Sequence, residues 1–197
     1  MQKQSTSQLY LASASPRRSD LLTQLGLRFE LLSAEIDEQP AAGELPEACV
    51  TRLARAKAEA GWQAAQRRQR IPVLGADTIV VINSTILGKP RDETDARRML
   101  RLLSGRKHQV MTTVAICHNE RVTSRTVVSD VQFKVLGEHE ISAYWQTGEG
   151  SDKAGSYAIQ GVGGMFVEHI AGSYSAIVGL PLFETAQLLR EFGIDVL

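Results

Sequence analysis

Cysteine is scarce in this sequence. Cys49 and Cys117 are the only two in 197 residues, and they form neither a CxxC pair nor a Cys/His ligand spacing. Two isolated cysteines do not build a disulfide framework or a zinc site, and such usage is typical of a reducing compartment. We therefore expect structural thiols and a cytoplasmic protein.

An excess of charge of one sign is also missing. The 22 basic residues are balanced by 22 acidic residues. Proteins that bind nucleic acid or a membrane surface usually carry a strong global field, which this chain lacks. We expect neither partner, and any anion must be bound by a local group of residues.

Long apolar runs and several common motifs are absent as well. No segment approaches the roughly 20 apolar residues of a membrane span. The Ala-Ser-Ala triplet at 12–14 follows an apolar run of only Leu9 to Ala12, whereas a signal core needs about 7 to 15 residues. The sequence has no HExxH, G-x-S-x-G, Walker or G-x-G-x-x-G motif. Interpretations as a serine hydrolase, a P-loop NTPase or a dinucleotide dehydrogenase thus lose their main support.

What the sequence does contain is a mixture of strand and helix patterns in one domain, 1–197. Apolar periodicity and turn residues predict strands at 8–12, 29–32, 71–82, 85–88, 108–117, 122–133 and 165–170. We expect the third strand to be interrupted at 75–77 and residues 83–84 to form a turn. Capping residues and helical spacing predict helices at 16–25, 46–68, 92–103, 138–146 and 181–192. This mixture indicates an α/β or α+β fold.

Two adjacent arginines, Arg17 and Arg18, begin the first predicted helix. Cations are disfavoured at a helix N-terminus, but a bound anion is favoured there, and guanidinium groups grip phosphate oxygens in pairs. Ser13 and Ser15 add hydroxyl donors. The alternative is a solvated helix start, and these residues alone do not decide between the two.

Asp77 lies inside an apolar segment, where an unpaired carboxylate is very costly. It therefore pairs with a cation, coordinates a metal, or sits at a turn. Lys57 is aligned with an apolar helix face and Lys89 precedes a proline, although each could extend to solvent. Together with Asp37 and Glu38 of an acidic loop, Asp77 has the oxygen ligands that Mg²⁺ prefers, although loop acids are usually just solvated.

A glycine-rich segment occupies residues 148–164. Its glycines would let the backbone approach a ligand, and the amide of Gln160 can pair with the edge of a base. A plain loop is the alternative.

These motifs, in this order and spacing, resemble the Maf family, the nucleotide pyrophosphatases once described as septum-formation inhibitors. The resemblance runs from Leu9 to about Leu189. It rests on the segments S13-x-S-P-R-R18, L53-A-x-x-K-A58, G75-A-D-T78, L87-G-K-P90, S104-G105 with H108, D152-K-A-G-x-Y-x-I-Q-G161, and G172-S-Y174 followed by V178-G-L-P181.

The resemblance implies an α/β fold in which a long twisted mixed β-sheet is flanked by helices, with two lobes around a nucleotide cleft, as in inosine triphosphate pyrophosphatases. It implies house-cleaning hydrolysis of dTTP, UTP and modified pyrimidine nucleotides to the monophosphate and pyrophosphate. It also implies Mg²⁺ or Mn²⁺ as cofactor, a homodimer and a link to cell-division arrest. The 7-methyl-GTP branch of the family and a non-catalytic, nucleotide-responsive regulator of septum formation are the alternatives.

The resemblance also assigns roles residue by residue. Asp77 is the expected general base or organiser of the attacking water, and it holds the metal with Glu38. The expected triphosphate ligands are Ser13, Arg17, Arg18, Lys57 and Lys89. The expected determinants of base preference are Arg17, Thr78 and Gln160.

Overall fold

A computed structural model describes residues 7–65 and 68–196 of the chain. Its centre is a mixed sheet with the strand order β2-β1-β3-β5-β6-β7, and β4 pairs with β3 outside that path. The strands are β1 (Leu9–Ala12), β2 (Phe29–Leu31), β3 (Val73–Ile82), β4 (Thr85–Leu87), β5 (Lys107–His118), β6 (Arg121–Phe133) and β7 (Val167–Ala171). The helices are α1 (Pro16–Gln24), α2 (Pro46–Ala64), α3 (Glu93–Leu103), α4 (Glu138–Gln146), α5 (Tyr174–Val178) and α6 (Leu182–Arg190). The predicted α/β class with a mixed sheet is confirmed.

The chain divides into two compact units. The first unit contains the chain up to Asp77, Thr112–Thr126 and the chain from Gly179 onward. The second unit contains Thr78–Met111 and Val127–Val178.

In the first unit, β1 is the buried centre of a parallel arrangement. All four of its residues are buried, and it pairs in parallel with β2 on one side and with β3 on the other. A strand covered on both faces reads as a continuous apolar run, which explains why its sequence is LYLA. Pro16 begins α1 directly after this strand, so the first turn of α1 lies at the carboxyl end of β1.

The second unit is built around a cluster of aromatic rings. Phe133 of β6 packs edge to face against Tyr157 and Phe166, with ring centroids 4.8 and 5.9 Å apart. The β3–β4 hairpin closes through Asn83 and Ser84, whose φ angles are 49° and 62°. Two consecutive positive φ angles match the twist of a tight hairpin, and the predicted turn is confirmed.

The predicted break in the third strand is wrong. Residues 75–77 continue β3 without interruption, and all three are buried. A glycine followed by a carboxylate looks like a turn locally. Here Gly75 instead serves a close approach of α2 to the strand, which a local pattern does not reveal.

Other differences lie near the carboxyl-terminal end. The strand predicted at 165–170 is shifted, because residues Val162–Phe166 form a 3-10 turn before β7 begins at Val167. The short helix α5 and a 3-10 turn at Ala154–Ser156 were not predicted. The helix predicted at 46–68 ends at Ala64, and part of its predicted end, residues 66–67, lies outside the described residues. No helix of the described chain is long and apolar enough to cross a membrane.

Candidate active site

Helix α2 packs so closely against β3 that Gly75 has no room for a side chain. A Cβ atom on Gly75 would lie 2.5 Å from the backbone nitrogen of Ala58 and 2.6 Å from the carbonyl oxygen of Ala54. Both distances are far below ordinary contact, so only glycine permits this packing. The residue before Ala58 in α2 is Lys57, and two residues beyond Gly75 is Asp77. The close approach therefore brings these two side chains within reach of each other.

Lys57 lies between two carboxylates. Its Nζ donates to Oδ1 of Asp77 at 2.7 Å and is 2.6 Å from Oε1 of Glu38. Lys57 and Asp77 are 9% and 8% exposed, whereas the side chain of Glu38 is 52% exposed. The requirement that Asp77 be paired is met by a cation 20 residues away along the chain. Lys57 does not extend to solvent, and Asp77 is not a turn residue.

The loop that carries Glu38 is anchored to α2. Arg52 donates from Nε and Nη2 to the two carboxylate oxygens of Glu44, each at 2.7 Å, and its Nη2 also donates to the carbonyl of Gln39 at 3.1 Å. The hydrogen bonds that Glu44 accepts from Arg52 and from the backbone N–H of Ala41 lower its pKa to about 2. Asp37 accepts from the backbone N–H of Gln39 at 2.9 Å. Glu38 thus lies between two residues that contribute to a hydrogen-bonded loop.

Arg18 is buried rather than solvated. Its Nε donates to the carbonyl oxygen of Gly179 at 2.9 Å, and its Nη1 donates to Oγ of Ser13 at 3.0 Å. Burial lowers the pKa of Arg18, and the charge of Asp77 opposes that effect. The solvated helix start is therefore excluded for Arg18, while Arg17 is half-buried.

Ser13 links this arginine to the start of α1. Its oxygen also accepts from the backbone N–H of Ser15 at 3.2 Å. In both bonds Oγ is the acceptor, so neither uses the O–H of Ser13, which is the phosphate donor that the family resemblance implies. Ser15 is the N-cap residue, as predicted, but it makes no side-chain capping bond.

The second unit contains the other three predicted residues. Thr78 is half-buried in β3, Lys89 is exposed in the loop after β4, and Gln160 is exposed after the 3-10 turn at Ala154–Ser156.

The loops of Lys89 and Gln160 are tied together within the second unit. The backbone N–H of Gly155 donates to the carbonyl of Gly88 at 3.0 Å. A Cβ atom on Gly155 would lie 3.1 Å from the side chain of Val80, and the φ of Gly155 is +69°. Glycine is needed here for both reasons, which accounts for its place in the D152–G161 segment.

The family model described as Maf-like protein matches residues 8–192. This chain belongs to the Maf family. The family resemblance drawn from the sequence motifs is confirmed.

Curated Maf relatives are similar over nearly their whole length. A protein of Pseudoalteromonas atlantica is 57% identical over 187 residues, which cover 94% of this chain and 97% of the relative. A protein of Aliivibrio fischeri is 54% identical, covering 94% and 98%, and one of Yersinia pestis is 56% identical, covering 93% and 92%. Each of these three is named dTTP/UTP pyrophosphatase. Among solved structures, the Staphylococcus aureus Ham1 protein aligns with 64% of this chain and 71% of its own at 12% identity, with a TM-score of 0.36.

The metal ligands expected from the Maf resemblance fit a hard divalent cation. The oxygens of Glu38 and Asp77 lie against one ammonium group, so the structure already places a positive charge between them. Carboxylates of this kind, completed by water and phosphate oxygens, are the usual ligands of Mg²⁺. Among the residues that the structure describes, no group of three or more His, Cys, Asp or Glu is placed to hold a metal.

Sequence reasoning missed two residues that hold predicted site residues, one in each unit. The carbonyl of Gly179 accepts from Arg18 across 161 residues, and no local signal predicts such a pairing. Glu149 accepts backbone hydrogen bonds from the glycine-rich segment that carries Gln160. An acid flanked by Gly148 and Gly150 is the sequence signal that could have drawn attention to it.

Proposed function

We propose that this chain hydrolyses dTTP and UTP to the monophosphate and pyrophosphate, using Mg²⁺ or Mn²⁺. The observation that carries the proposal is the buried Lys57–Asp77 pair with Glu38 beside it, in the same unit as Arg18 and Ser13. Phosphoanhydride hydrolysis requires carboxylates that bind a metal cation and basic side chains that bind the phosphate groups. The names of the relatives support the same reaction.

The reaction needs water to attack the α-phosphorus in line with the departing pyrophosphate. The new bond joins the water oxygen to the α-phosphorus, and the bond from that phosphorus to the bridging oxygen breaks, its electron pair leaving with pyrophosphate. Asp77 accepts a proton from the attacking water or orients that water. Glu38 and Asp77 would hold the divalent cation, which supplies neutralisation of phosphate charge when bound.

Basic residues would hold the rest of the triphosphate. Arg17 and Arg18 are suited to paired contacts with phosphate oxygens, since a guanidinium presents parallel donors. Lys57 and Lys89 would add point charges. The O–H of Ser13 would donate to a phosphate while its oxygen continues to accept from Arg18.

The nucleobase would be selected by Thr78, Gln160 and Arg17. A glutamine amide offers one acceptor and two donor hydrogens, which matches the N3–H and O4 edge of uracil or thymine. This assignment rests on the family resemblance, and the exposed position of Gln160 is compatible with it.

Pyrophosphate release from dTTP, UTP, CTP, GTP and 7-methyl-GTP tests the proposal. We expect the highest kcat/KM for dTTP and UTP, loss of turnover in a chelator, and recovery with Mg²⁺ or Mn²⁺. Asp77→Asn should lose at least about 100-fold in rate, the lower end of what a positioned acid or base contributes. Asp130→Asn, the same change at a surface ion pair with Lys107, is the matched control and should stay active.

The same panel separates the alternatives. A preference for 7-methyl-GTP would move the chain to the other branch of the family. Nucleotide binding without turnover in any metal would favour a regulatory role in septum formation. Full activity of Asp77→Asn would overturn the proposed mechanism.

The proposal includes a homodimer in the cytoplasm and a link to cell-division arrest. Light scattering on the purified chain tests whether it is a homodimer. Fractionation of cells tests whether it lies in the cytoplasm. Cell length after overproduction of the wild type and of Asp77→Asn tests whether arrest depends on turnover.

A further inference from the structure

Glu149 follows α4 and is a hydrogen-bonding centre of the second unit. Its Oε1 accepts from the backbone N–H of Val162 at 2.9 Å, and its Oε2 accepts from the backbone N–H of Gly163 at 2.9 Å. Oε2 also accepts from the hydroxyl of Tyr144 at 2.7 Å. One carboxylate therefore holds two consecutive backbone amides and a tyrosine.

Tyr144 extends this network to the other end of the same segment. Its hydroxyl oxygen accepts from the backbone N–H of Ala158 at 3.1 Å. The N–H of Gly161 donates to the carbonyl of Ala158 at 3.2 Å, which closes a turn between the two anchored ends. Gln160 lies inside that turn, so its backbone is fixed from both sides.

Glycines at two positions make the contacts with Glu149 and Tyr144 sterically feasible. A Cβ atom on Gly161 would lie 1.8 Å from Oε1 of Glu149, and one on Gly163 would lie 2.8 Å from the hydroxyl oxygen of Tyr144. Neither glycine has a positive φ, so backbone conformation does not explain why glycine occupies these two positions. The space left by the missing side chains is filled by the carboxylate and the phenol.

The carboxylate of Glu149 is held in its charged form. Partial burial opposes ionisation, but the N–H of Gly163, the hydroxyl of Tyr144 and the N–H of Val162 keep the pKa of Glu149 below its ordinary value. Hydrogen bonds to an ionised acceptor are roughly twice as strong as those between neutral groups. A charged Glu149 therefore anchors the segment more firmly than a neutral side chain of the same size.

We propose that Glu149 is a positioning residue for nucleobase selection, acting by fixing the segment Ala158–Gly163 and with it the amide of Gln160. This inference rests on the proposed function for the role of Gln160. Glu149 itself need not touch the nucleotide. Its loss should therefore reduce discrimination between bases without removing the phosphate-binding residues of the first unit.

The test measures binding rather than turnover, so that it does not depend on the proposed reaction. We would determine Kd for the α,β-imido analogues of UTP and CTP by calorimetry in the wild type, Glu149→Ala, Tyr144→Phe and Gln160→Ala. Gln160→Ala should lower the preference for the UTP analogue by about tenfold, the loss expected for about one hydrogen bond. Glu149→Ala should approach the same loss, and the Glu149→Ala/Gln160→Ala double variant should lose no more than Gln160→Ala alone.

Two further variants separate positioning from general destabilisation. Tyr144→Phe keeps the ring against Phe166, at 5.0 Å between centroids, but removes the hydroxyl, and a several-fold loss of preference is expected. Glu140→Ala is the matched control, because Glu140 also accepts from a backbone N–H, that of Gly137, in the same unit but at the other end of α4. It should leave the preference unchanged.

The possible outcomes are distinct. Unchanged preference in both Glu149→Ala and Tyr144→Phe, with a loss in Gln160→Ala, would overturn the inference and leave the proposed function intact. Additive losses in the double variant would also overturn it, because Glu149 would then act independently of Gln160. A wild-type chain that discriminates between the analogues but does not release pyrophosphate would refute the proposed function and leave the inference standing.

Discussion

Replacement of Gly75 by alanine is the sharpest test of how this fold builds its site. The new methyl group would lie 2.5 Å from the nitrogen of Ala58 and 2.6 Å from the carbonyl oxygen of Ala54. Both obstructing atoms belong to the backbone of α2, so no side-chain rotation can relieve the clash. The helix and the strand have to separate.

The size of the effect follows from the distances. Ordinary van der Waals contact begins at 3.4 Å, so α2 must move away from β3 by about 0.9 Å. Overpacking of this kind costs about 1–3 kcal/mol, and the upper end applies because the obstruction is rigid. For a chain of this length, a loss of about 3 kcal/mol corresponds to a fall in Tm of roughly 6–12 °C. Separation of the two elements also stretches the hydrogen bond from Lys57 to Asp77.

Urea denaturation of Gly75→Ala and wild type measures the free energy of unfolding. Gly88→Ala is the control, because a Cβ atom there meets nothing within 4 Å and the φ of Gly88 is not positive, so the change should stay within about 1 kcal/mol of the wild type. If Gly75→Ala also loses less than about 1 kcal/mol, close backbone packing does not constrain the position of Asp77, and the reasoning fails.

Three further predictions follow from the site and the core. Arg18→Ala should lower the free energy of unfolding by about 2 kcal/mol and also lower the rate of hydrolysis, because it removes the donor from a buried hydrogen-bond network. Arg17→Ala should instead alter the ranking of dTTP, UTP, CTP and GTP, and identical effects of the two variants on unfolding and on the substrate panel would contradict that division. Lys57→Met should raise the affinity for Mn²⁺, measured by calorimetry without nucleotide, because the ammonium no longer competes with the metal for the two carboxylates. An equal or weaker affinity would count against Glu38 and Asp77 as the metal ligands. Burial lowers the pKa of His108 from 6.5 to about 4, so the folded state resists protonation of this side chain. The resulting contribution to the free energy of unfolding, about 3 kcal/mol, is fully present above pH 6.5 and is lost as the pH falls towards 4. His108→Gln should flatten the unfolding free energy over that range, and an unchanged slope would refute the assignment.

Features encoded by neighbouring residues were predictable from the sequence. Pro16 starts α1, and Asp92 caps α3 by accepting from the N–H of Asp95 at 2.8 Å. The turn at Asn83 and Ser84 is where the pattern places it. In each case the determining interaction spans only a few residues, so the local sequence pattern is enough to predict it.

Features that depend on distant contacts were only partly predictable. The sequence marks Asp77 as a carboxylate in need of a partner and Lys57 as a cation on an apolar face, but not that each satisfies the other. The continuity of β3 through Gly75 depends on where α2 packs, which no local pattern encodes. The position of Arg18 depends on a carbonyl 161 residues away. The roles assigned to Lys89 and Gln160 remain predictions.

The division of the chain has a consequence for how such a protein can change. The boundaries at Asp77/Thr78, Met111/Thr112 and Thr126/Val127 fall inside β3, β5 and β6, so each of these strands contributes residues to both compact units. Neither unit corresponds to one continuous stretch of gene. Exchange of one continuous segment therefore does not carry a whole unit, and no single truncation isolates one. A change at Thr78, a proposed determinant of base preference, is therefore made one peptide bond away from Asp77, the carboxylate proposed for chemistry.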